Sequence, residues 1–336
     1  MIEFAVPRLR CQDCGEIRQV KVAFAEGQKR YTRCFERLVI DLSRYTTPMD
    51  VARYLDISWD AASEIQKKHL KRKYGQPKLK PLKIIAIDEI YLGKKHQSIT
   101  LVLDLISGAV VFVGQGKGEA SLRPFWRRLK HSRAEIVAVA TDFSQAYTAA
   151  ARKCIPTATH VFDRFHVVKL LNEKLSQLRR DLHREATDNL GKQALKGIRW
   201  LLLMNRDNLN DERNDRERLD EALRFNQPLA TAYYLKEELR QFWLQRNLAT
   251  ATKFLESWCR RATASGIKVL ITFAKTLQIH RHGLLAWYNH PISTGPLEGT
   301  NNKIKLMQRR AYGYRNLEFL MLKIYGAHET RHRLVG

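Results

Sequence analysis

Apolar residues recur at helical spacing between Cys34 and Tyr74, and this pattern predicts three helices. A break at Thr46-Thr47-Pro48 ends the first of them. Ser58 is the expected N-cap of the third helix, which runs from Trp59 to Lys73. A short helix, a tight corner and a longer basic helix are typical of a helix-turn-helix, although any small three-helix unit gives the same pattern.

From Leu82 onwards the period of the apolar positions changes from helical to extended. Ile84 to Ile87 form a continuous apolar run, as expected for a strand that is buried on both faces. Further strands are predicted at Ile99–Leu103, Val110–Val113, Ile136–Ala140 and Thr159–Phe162, with helices at Glu119–Lys130 and Ser144–Lys153. The order β-β-β-α-β-α-β predicts an α/β fold in which helices flank a mixed sheet.

The strand pattern stops between Phe165 and His290, where helix-forming residues dominate. This segment is predicted to be a large, all-helical insertion, and helical spacing continues from Leu297 to Tyr325. Three tryptophans of the insertion are predicted core residues, with stacking on an unpaired base as the alternative. They are Trp243, Trp258 and Trp287.

Composition adds a strong charge asymmetry to this picture. Lys and Arg number 59 against 34 Asp and Glu, and the net charge of +25 points to a polyanionic partner such as nucleic acid. Hydrophobic residues make up 44% of the 336 positions, which excludes a disordered chain. Long apolar runs, a signal-peptide layout and a secreted disulfide framework are all missing from the sequence. We therefore expect a protein of a reducing compartment that does not enter membranes.

Positive charge is concentrated at the end of the third predicted helix, with no acidic residue among the basic ones. Charge that continues directly from a recognition helix suits contacts with DNA phosphates. The candidate DNA-binding residues of this segment are Lys67, Lys68, Lys71, Arg72 and Lys73.

Acidic residues beside the predicted strands are candidates for catalysis. Asp88 and Asp142 each follow an apolar strand, so both would face the crevice where α/β sheets bind ligands. Two neighbouring carboxylates repel unless a cation lies between them, and a pair of Mg²⁺ ions held in this way can catalyse phosphoryl transfer. Glu298, at a predicted helix start, is a candidate third carboxylate. Spacing alone does not select among the acids, because comparable positions are held by Asp104, Asp163 and Glu89.

An ordered set of motifs is similar to that of one known family. The motifs are IDE at residues 87–89, TDFS at 141–144, FDRFHVV at 162–168, GPLEGTNNKIK at 295–305 and RRAYGYR at 309–315. Each is weak by itself, whereas the combination is specific. Together they resemble bacterial insertion-sequence transposases of the ISL3 group, and the resemblance runs from about Val6 to Tyr325.

The resemblance implies an RNase H-like core with a DDE triad of metal-binding, catalytic carboxylates. Matched residue by residue, the triad is Asp88, Asp142 and Glu298, with two Mg²⁺ or Mn²⁺ ions as cofactors. Such enzymes bind double-stranded DNA, both the terminal inverted repeats of the element and the target. Metal-dependent cleavage frees a 3′-OH at the element's end, which then attacks target DNA. A homodimer on DNA and a cytoplasmic, nucleoid-associated location in a bacterium are the matching expectations.

The same resemblance assigns roles to residues near the triad. The helix that carries Glu298 is expected to line the DNA path with Lys303, Lys305, Arg309 and Arg310. Asp163 and His166 either have a structural role, or contact phosphate, or support the metal ligands from behind.

Cys11 and Cys14 form half of a zinc-binding motif. A structural zinc ion needs four ligands, and Cys34 would be a third with no fourth evident. Members of the family usually carry another Cys-x-x-Cys upstream, whereas ten residues precede Cys11 here. The sequence therefore favours a partial zinc-ribbon remnant or an ordinary turn over an intact zinc site, with recognition of the element's ends impaired.

We expect four segments along the chain. They are a partial zinc-ribbon remnant at 1–34, a helix-turn-helix DNA-binding domain at 35–76, an RNase H-like catalytic core at 82–163 and 291–336, and a helical insertion domain at 164–290. The leading hypothesis is a DDE transposase. Two alternatives stay open: a truncated, non-catalytic DNA-binding derivative that represses transposition, and an RNase H-like nuclease that selects DNA structure.

Overall fold

The computed structural model describes residues 5–20, 30–93, 97–187, 192–193 and 195–328. Three of the predicted segments extend beyond these ranges: residues 1–4 and 21–29 of the zinc-ribbon segment, 188–191 and 194 of the insertion, and 94–96 and 329–336 of the core lie outside the described part. Close contacts divide the chain into two units. The first comprises residues 1–78, 109–113 and 300–336, and the second comprises residues 79–108 and 114–299.

The elements of the described residues follow in chain order. The strands are β1 (Arg8–Arg10), β2 (Ile17–Gln19), β3 (Ile84–Gly93), β4 (Gln97–Asp104), β5 (Val110–Gln115), β6 (Ala138–Thr141) and β7 (Thr159–Phe162). The helices are α1 (Arg33–Leu42), α2 (Pro48–Leu55), α3 (Trp59–Tyr74), α4 (Glu119–Ser132), α5 (Gln145–Cys154), α6 (Arg164–Glu185), α7 (Arg199–Leu203), α8 (Asp215–Phe225), α9 (Gln227–Leu239), α10 (Leu248–Ala264), α11 (Lys268–Ile279), α12 (Arg281–Leu285), α13 (Gly295–Arg310) and α14 (Leu317–Tyr325). Short 3₁₀ turns lie at Arg206–Asn208, Asp211–Arg213, Arg240–Leu244 and Ala286–Tyr288.

Side-chain caps set the starts of the three helices in the first unit. The hydroxyls of Thr32 and Ser58 accept hydrogen bonds from backbone N–H groups in the first turns of α1 and α3. Thr47 and Asp50 form a reciprocal capping box at the start of α2. The helices share a small core of Val39, Val51, Ala52 and Ala62. The three predicted helices are confirmed, and their assignment as a DNA-binding helix-turn-helix stays a prediction.

Helix α14 packs on α3 within the same unit. Leu70 of α3 is buried in one cluster with Phe319 and Leu322 of α14. Gly326, directly after α14, lies against Leu70 and the ring of Tyr74, where a larger residue would meet both side chains. The far end of the sequence therefore covers one face of the longest helix in the three-helix group.

Strands β3 to β7 form one mixed sheet in the order β5-β4-β3-β6-β7. β3 pairs antiparallel with β4 and parallel with β6, and β6 pairs parallel with β7. Central apolar residues such as Ile85, Leu103 and Val139 are buried, because a sheet covered on both faces exposes neither side of its strands. The predicted α/β class with a mixed sheet is confirmed, and the RNase H-like assignment stays a prediction.

The structure corrects the predicted end of the first strand of this sheet. β3 continues to Gly93, so Asp88 is a residue inside the strand rather than the one that follows it. Beyond Ile87 the pattern alternates, with Ile90 buried and Tyr91 exposed, and this part pairs with β4. Apolar and polar residues alternate in this way along a strand that has one face in solvent. The continuous apolar run at Ile84–Ile87 therefore predicts only the first part of β3.

The described helices from α6 to α12 share one large hydrophobic core. Trp258 is fully buried in it, and its indole N–H donates to the carbonyl of Leu235 at 2.9 Å. Trp243 is buried as well, and Trp287 packs against the same core. The prediction that these tryptophans are core residues is confirmed. Within the described ranges, none of the helices is both long and apolar enough to cross a lipid bilayer.

Candidate active site

Strand register places three aspartates at the same level of the sheet. The last recorded pair between β3 and β6 joins Ala86 to Ala140, so Asp88 and Asp142 each lie two residues further on. The last pair between β6 and β7 joins Thr141 to Phe162, and Asp142 and Asp163 directly follow these two residues. Parallel strands of an α/β sheet bring such positions to one edge, where ligands bind.

The carboxylates at this edge repel one another. Asp88 is only 8% exposed, and its Oδ1 accepts the backbone N–H of Glu89 at 2.8 Å. Burial is the main cause that raises the pKa of Asp142, and the negative charges of Asp88 and Glu89 add to it. These effects outweigh the Ser144 N–H bond at 3.0 Å and the nearby His166, which act in the opposite direction. A bound cation would relieve this repulsion.

Asp163 and His166 form a hydrogen-bonded pair beside Asp88. Asp163 is 6% exposed and accepts bonds from the Phe165 N–H at 2.9 Å and from His166 Nδ1 at 2.8 Å. The other ring nitrogen of His166, Nε2, lies 3.9 Å from Oδ1 of Asp88. Burial acts to lower the pKa of His166, but the bond to Asp163 and the charges around it raise the pKa overall. Asp163 thus fixes the imidazole so that its free edge faces the candidate metal ligand.

Thr294 connects this pair to the helix that carries Glu298. Its hydroxyl donates a short hydrogen bond to Oδ1 of Asp163, although 131 positions separate the two residues. Thr294 is buried, and its carbonyl accepts the backbone N–H of Glu298 at 3.0 Å. Thr294 therefore anchors the start of α13 to the start of α6.

The structure brings together some of the predicted site residues and not others. Asp88, Asp142, Asp163 and His166 are mutual neighbours. Glu298 lies in the first turn of α13 with an exposed side chain, and no hydrogen bond or ion pair within the described residues ties its carboxylate to the others. Thr294 was not among the sequence-based candidates. A hydroxyl just before a helix start is a capping signal, but the sequence does not show that its partner is Asp163.

Two of the predicted metal ligands suit a divalent cation chemically. Asp88 and Asp142 supply hard carboxylate oxygens from adjacent strands, and burial, with the charges of Asp88 and Glu89, raises the pKa of Asp142. Across the described ranges, no group of three or more His, Cys, Asp or Glu side chains is arranged to hold a metal ion. The pair therefore fits a cation, while the third ligand is not in place.

A partly buried histidine in β7, His160, makes the stability of this part of the sheet depend on pH. Nε2 of His160 lies 2.8 Å from the Thr141 hydroxyl, directly before Asp142 in the chain. Burial, with smaller contributions from Arg152 and His280, lowers the pKa of His160 from 6.5 to about 4. The unfolded chain therefore takes up this proton more readily than the folded one, and stability falls as the pH drops from 6.5 to about 4.

We expect His160→Gln to flatten this part of the stability profile. In the wild-type protein the single histidine accounts for up to about 3 kcal/mol of stability lost across the window. Urea unfolding at pH 7.0, 5.5 and 4.5 gives the free energy of unfolding of each protein. The effect of His160 is the difference between the wild type and the variant in how steeply this free energy changes with pH. Parallel profiles for the two proteins would show that His160 is not the group responsible.

Cys11 and Cys14 lie in the turn of the β1–β2 hairpin. The N–H of Gly15 donates to the Cys11 carbonyl at 3.0 Å, and the N–H of Cys11 donates to Glu16 at 2.9 Å. Both thiols are exposed, and hydrogen bonds from Cys14 and Asp13 lower the pKa of Cys11. This turn presents two sulfur ligands, half of what a structural zinc ion needs. A partial zinc-ribbon remnant or an ordinary turn, rather than an intact zinc site, stays the prediction for this segment.

The five basic candidates on α3 differ in their surroundings. Glu318 of α14 pairs with Lys67 at 2.9 Å and with Lys71 at 3.8 Å. This pairing raises the pKa of Lys67 and lowers that of Glu318. The exposed basic residues elsewhere on the helix are Lys68, Arg72 and Lys73.

The basic candidates on α13 are exposed. The ammonium group of Lys303 donates a hydrogen bond to the carbonyl of Ala327 at 2.8 Å, so one of its hydrogen bonds is made within the protein. The others point away from the buried positions of the helix and are Lys305, Arg309 and Arg310.

Comparison with known proteins places this geometry in context. The sequence matches the DDE transposase family of the ISL3 group over residues 85–324. It is 37% identical over 327 residues to the transposase for insertion sequence element IS1001 of Bordetella parapertussis, covering 96% of this chain and 80% of that protein. It is 27% identical over 348 aligned positions to the transposase for insertion sequence element IS1557 of Mycobacterium tuberculosis, covering 95% and 77%.

Among solved structures, the Drosophila P element transposase strand transfer complex superposes with a TM-score of 0.44 at 11% identity. The superposition covers 92% of this chain and 94% of that one. A likeness at this level is too low to decide the fold.

An acidic pair carried by adjacent parallel strands, on a strongly basic chain, is typical of enzymes that process nucleic acids. The chain belongs to the ISL3 group of DDE transposases. Members of this family are transposition enzymes of insertion sequences, and they generally use divalent metal ions.

Proposed function

We propose that this chain binds the ends of an insertion sequence and catalyses metal-dependent DNA strand cleavage followed by strand transfer. The observation that carries the proposal is the register of β3 and β6, which puts Asp88 level with Asp142 inside a sequence that matches a transposase family. The proposed catalytic and metal-binding residues are Asp88, Asp142 and Glu298. The core that holds them is proposed to be RNase H-like, formed by 82–163 and 291–336.

Asp88 and Asp142 would hold the divalent cations, Mg²⁺ or Mn²⁺. When bound, such ions activate the attacking oxygen and stabilise the leaving oxygen of a phosphoryl transfer. Glu298 would complete the ligand set from the first turn of α13. That turn is anchored to the start of α6 by the Thr294–Asp163 hydrogen bond, and the side chain of Glu298 is exposed.

Asp163 and His166 are proposed to position the cleavage site rather than to ligate the metal. The described hydrogen bonds of the Asp163 carboxylate are all made inside the protein, to Phe165, His166 and Thr294. His166 then presents its Nε2 edge beside Asp88, where it can also donate to a phosphate oxygen of bound DNA.

DNA is the proposed partner, in the form of element ends and target duplex, bound by a homodimer. Residues 35–76 would form the DNA-binding domain and 164–290 a helical insertion, with 1–34 a partial zinc ribbon. Basic residues of α3 and α13 would contact the phosphates. They are Lys68, Arg72, Lys73, Lys303, Lys305, Arg309 and Arg310, whereas Lys67 and Lys71 are paired with Glu318.

Nicking of supercoiled plasmid tests the proposal without knowledge of the element's ends. Purified protein is incubated with plasmid in Mg²⁺, in Mn²⁺ and in EDTA, and nicked circles are expected only with metal. Salt-sensitive DNA binding without nicking would instead identify a non-catalytic DNA-binding derivative. Nicking that shows no preference for a plasmid carrying the element and its flanks would favour a structure-selective nuclease.

Asp163→Asn is expected to slow cleavage by about 10- to 100-fold. The neutral amide of asparagine would orient the imidazole of His166 less strongly than the carboxylate of Asp163 does. DNA affinity should stay unchanged, and the Mn²⁺ concentration for half-maximal nicking should rise. Asp181→Asn removes another carboxylate from α6, one bonded to Gln177 and Arg184, and serves as the matched control. Equal losses in both variants would contradict a positioning role for Asp163.

A further inference from the structure

We infer that duplex DNA lies along one particular face of α3, in a basic cleft that this helix forms with α1. The cleft has a volume of about 300 Å³ and is lined by Arg33, Glu36, Arg37, Ile40, Ile65, Lys68, His69 and Arg72. The inference rests on the proposed DNA-binding function and adds to it two contact residues, Arg33 and Arg37, together with a direction of approach.

Helical spacing explains why these residues share one cleft. Arg33 and Arg37 are one turn apart on α1, and Lys68 and Arg72 are one turn apart on α3. Side chains four positions apart lie on the same side of a helix, so each helix contributes one basic row. The apolar floor between the two rows is formed by Ile40 and Ile65.

The charge of the cleft is unbalanced. Four permanently cationic side chains face a single carboxylate, Glu36. Arg37, Lys68 and Arg72 make no hydrogen bond or ion pair to any described residue, so their charges are available to a ligand. Arginine forks and lysine ammonium groups suit the phosphates of a nucleic-acid backbone.

The opposite face of α3 is already covered within the same unit. Lys67 and Lys71 are paired with Glu318, and between them Leu70 is buried against Phe319 and Leu322. Contacts between DNA and these two lysines would have to displace a carboxylate. The sequence does not distinguish these lysines from Lys68 and Arg72, whereas the structure pairs Lys67 and Lys71 with Glu318 and places Lys68 and Arg72 in the cleft.

A salt titration of DNA binding tests this assignment on the full-length protein. Arg37→Ala/Arg72→Ala is compared with Lys67→Ala/Lys71→Ala, so both double variants lose two positive charges. Affinity for a labelled 30-base-pair duplex is measured at several NaCl concentrations. Each lost phosphate contact lowers the log–log slope by roughly 0.9, so we expect a drop of up to roughly 1.8 for the cleft variant and less than about 0.5 for the control.

A third variant separates charge from folding. Arg37→Lys/Arg72→Lys keeps both charges, and its slope should match that of the wild type, with circular dichroism confirming intact helices in all variants. An unchanged slope for the cleft alanine variant, or an equal loss in the Lys67/Lys71 variant, would overturn the inference while leaving DNA binding by the wild type intact. A wild-type protein that binds no duplex would overturn both the inference and the proposed function.

Discussion

Asp142→Asn is expected to reduce metal-dependent plasmid nicking by at least about a thousandfold. A bound metal ion contributes several kcal/mol to the stabilisation of a phosphoryl-transfer transition state, and each 1.36 kcal/mol is worth about a factor of ten in rate. Burial and the neighbouring charges of Asp88 and Glu89 raise the pKa of Asp142, and a bound cation would favour its ionised form. Asparagine keeps the shape of the side chain and removes the charge, so folding and DNA affinity should persist.

The matched control for this variant is Asp104→Asn. Asp104 ends β4 in the same sheet, where its carboxylate accepts bonds from the N–H groups of Ile106 and Ser107 at 3.2 Å. It lies in a turn rather than beside Asp88, so nicking should remain close to the wild-type rate. Full activity of Asp142→Asn would remove this residue from the catalytic set.

Glu298→Gln is expected to reduce nicking by at least about a hundredfold while duplex affinity changes by less than about twofold. The proposed role of the glutamate is that of a metal ligand, and a single carboxylate offers no attraction to DNA phosphate. Glu298 lies in the first turn of α13, where the helix dipole slightly favours an acidic side chain. The substitution is therefore also expected to lower the stability of the protein by a small amount.

Glu119→Gln provides the comparison for Glu298→Gln. Glu119 is also an exposed acid in the first turn of a helix, α4, so both variants lose the same interaction with the helix dipole. Nicking should be lost in the Glu298 variant alone. A Glu298 variant that loses DNA binding as severely as cleavage would show that the assigned role is wrong.

Local signals in the sequence predict most of the elements correctly. Ser58 caps α3 as its position before an amphipathic stretch indicates, and Thr159–Phe162 is a strand with the predicted bounds. Apolar runs also predict the order of the strands in the chain. These features depend on residues within a few positions of one another, which is why a single sequence reveals them.

Features that depend on distant pairing escaped prediction. The extension of β3 past Ile87 depends on its partner β4, because only pairing shows that the alternating part belongs to the strand. The bond from Thr294 to Asp163 joins residues 131 positions apart. Glu318 likewise pairs with Lys67 across most of the chain. Each of these contacts forms only when the folded chain packs together. The pattern of apolar and polar residues around either partner therefore does not predict it.

Binding of Mn²⁺ tests the central claim most directly, because it reports on the site without requiring catalysis. The amplitude of free Mn²⁺ in electron paramagnetic resonance is followed while wild-type protein and an Asp88→Asn/Asp142→Asn variant are titrated, each with the same short duplex. We expect the wild type to take up Mn²⁺ that excess Mg²⁺ displaces, and the double variant to take up none at this site. Equal uptake by the two proteins, or no uptake by the wild type, would contradict the assignment of the cation site to these strands.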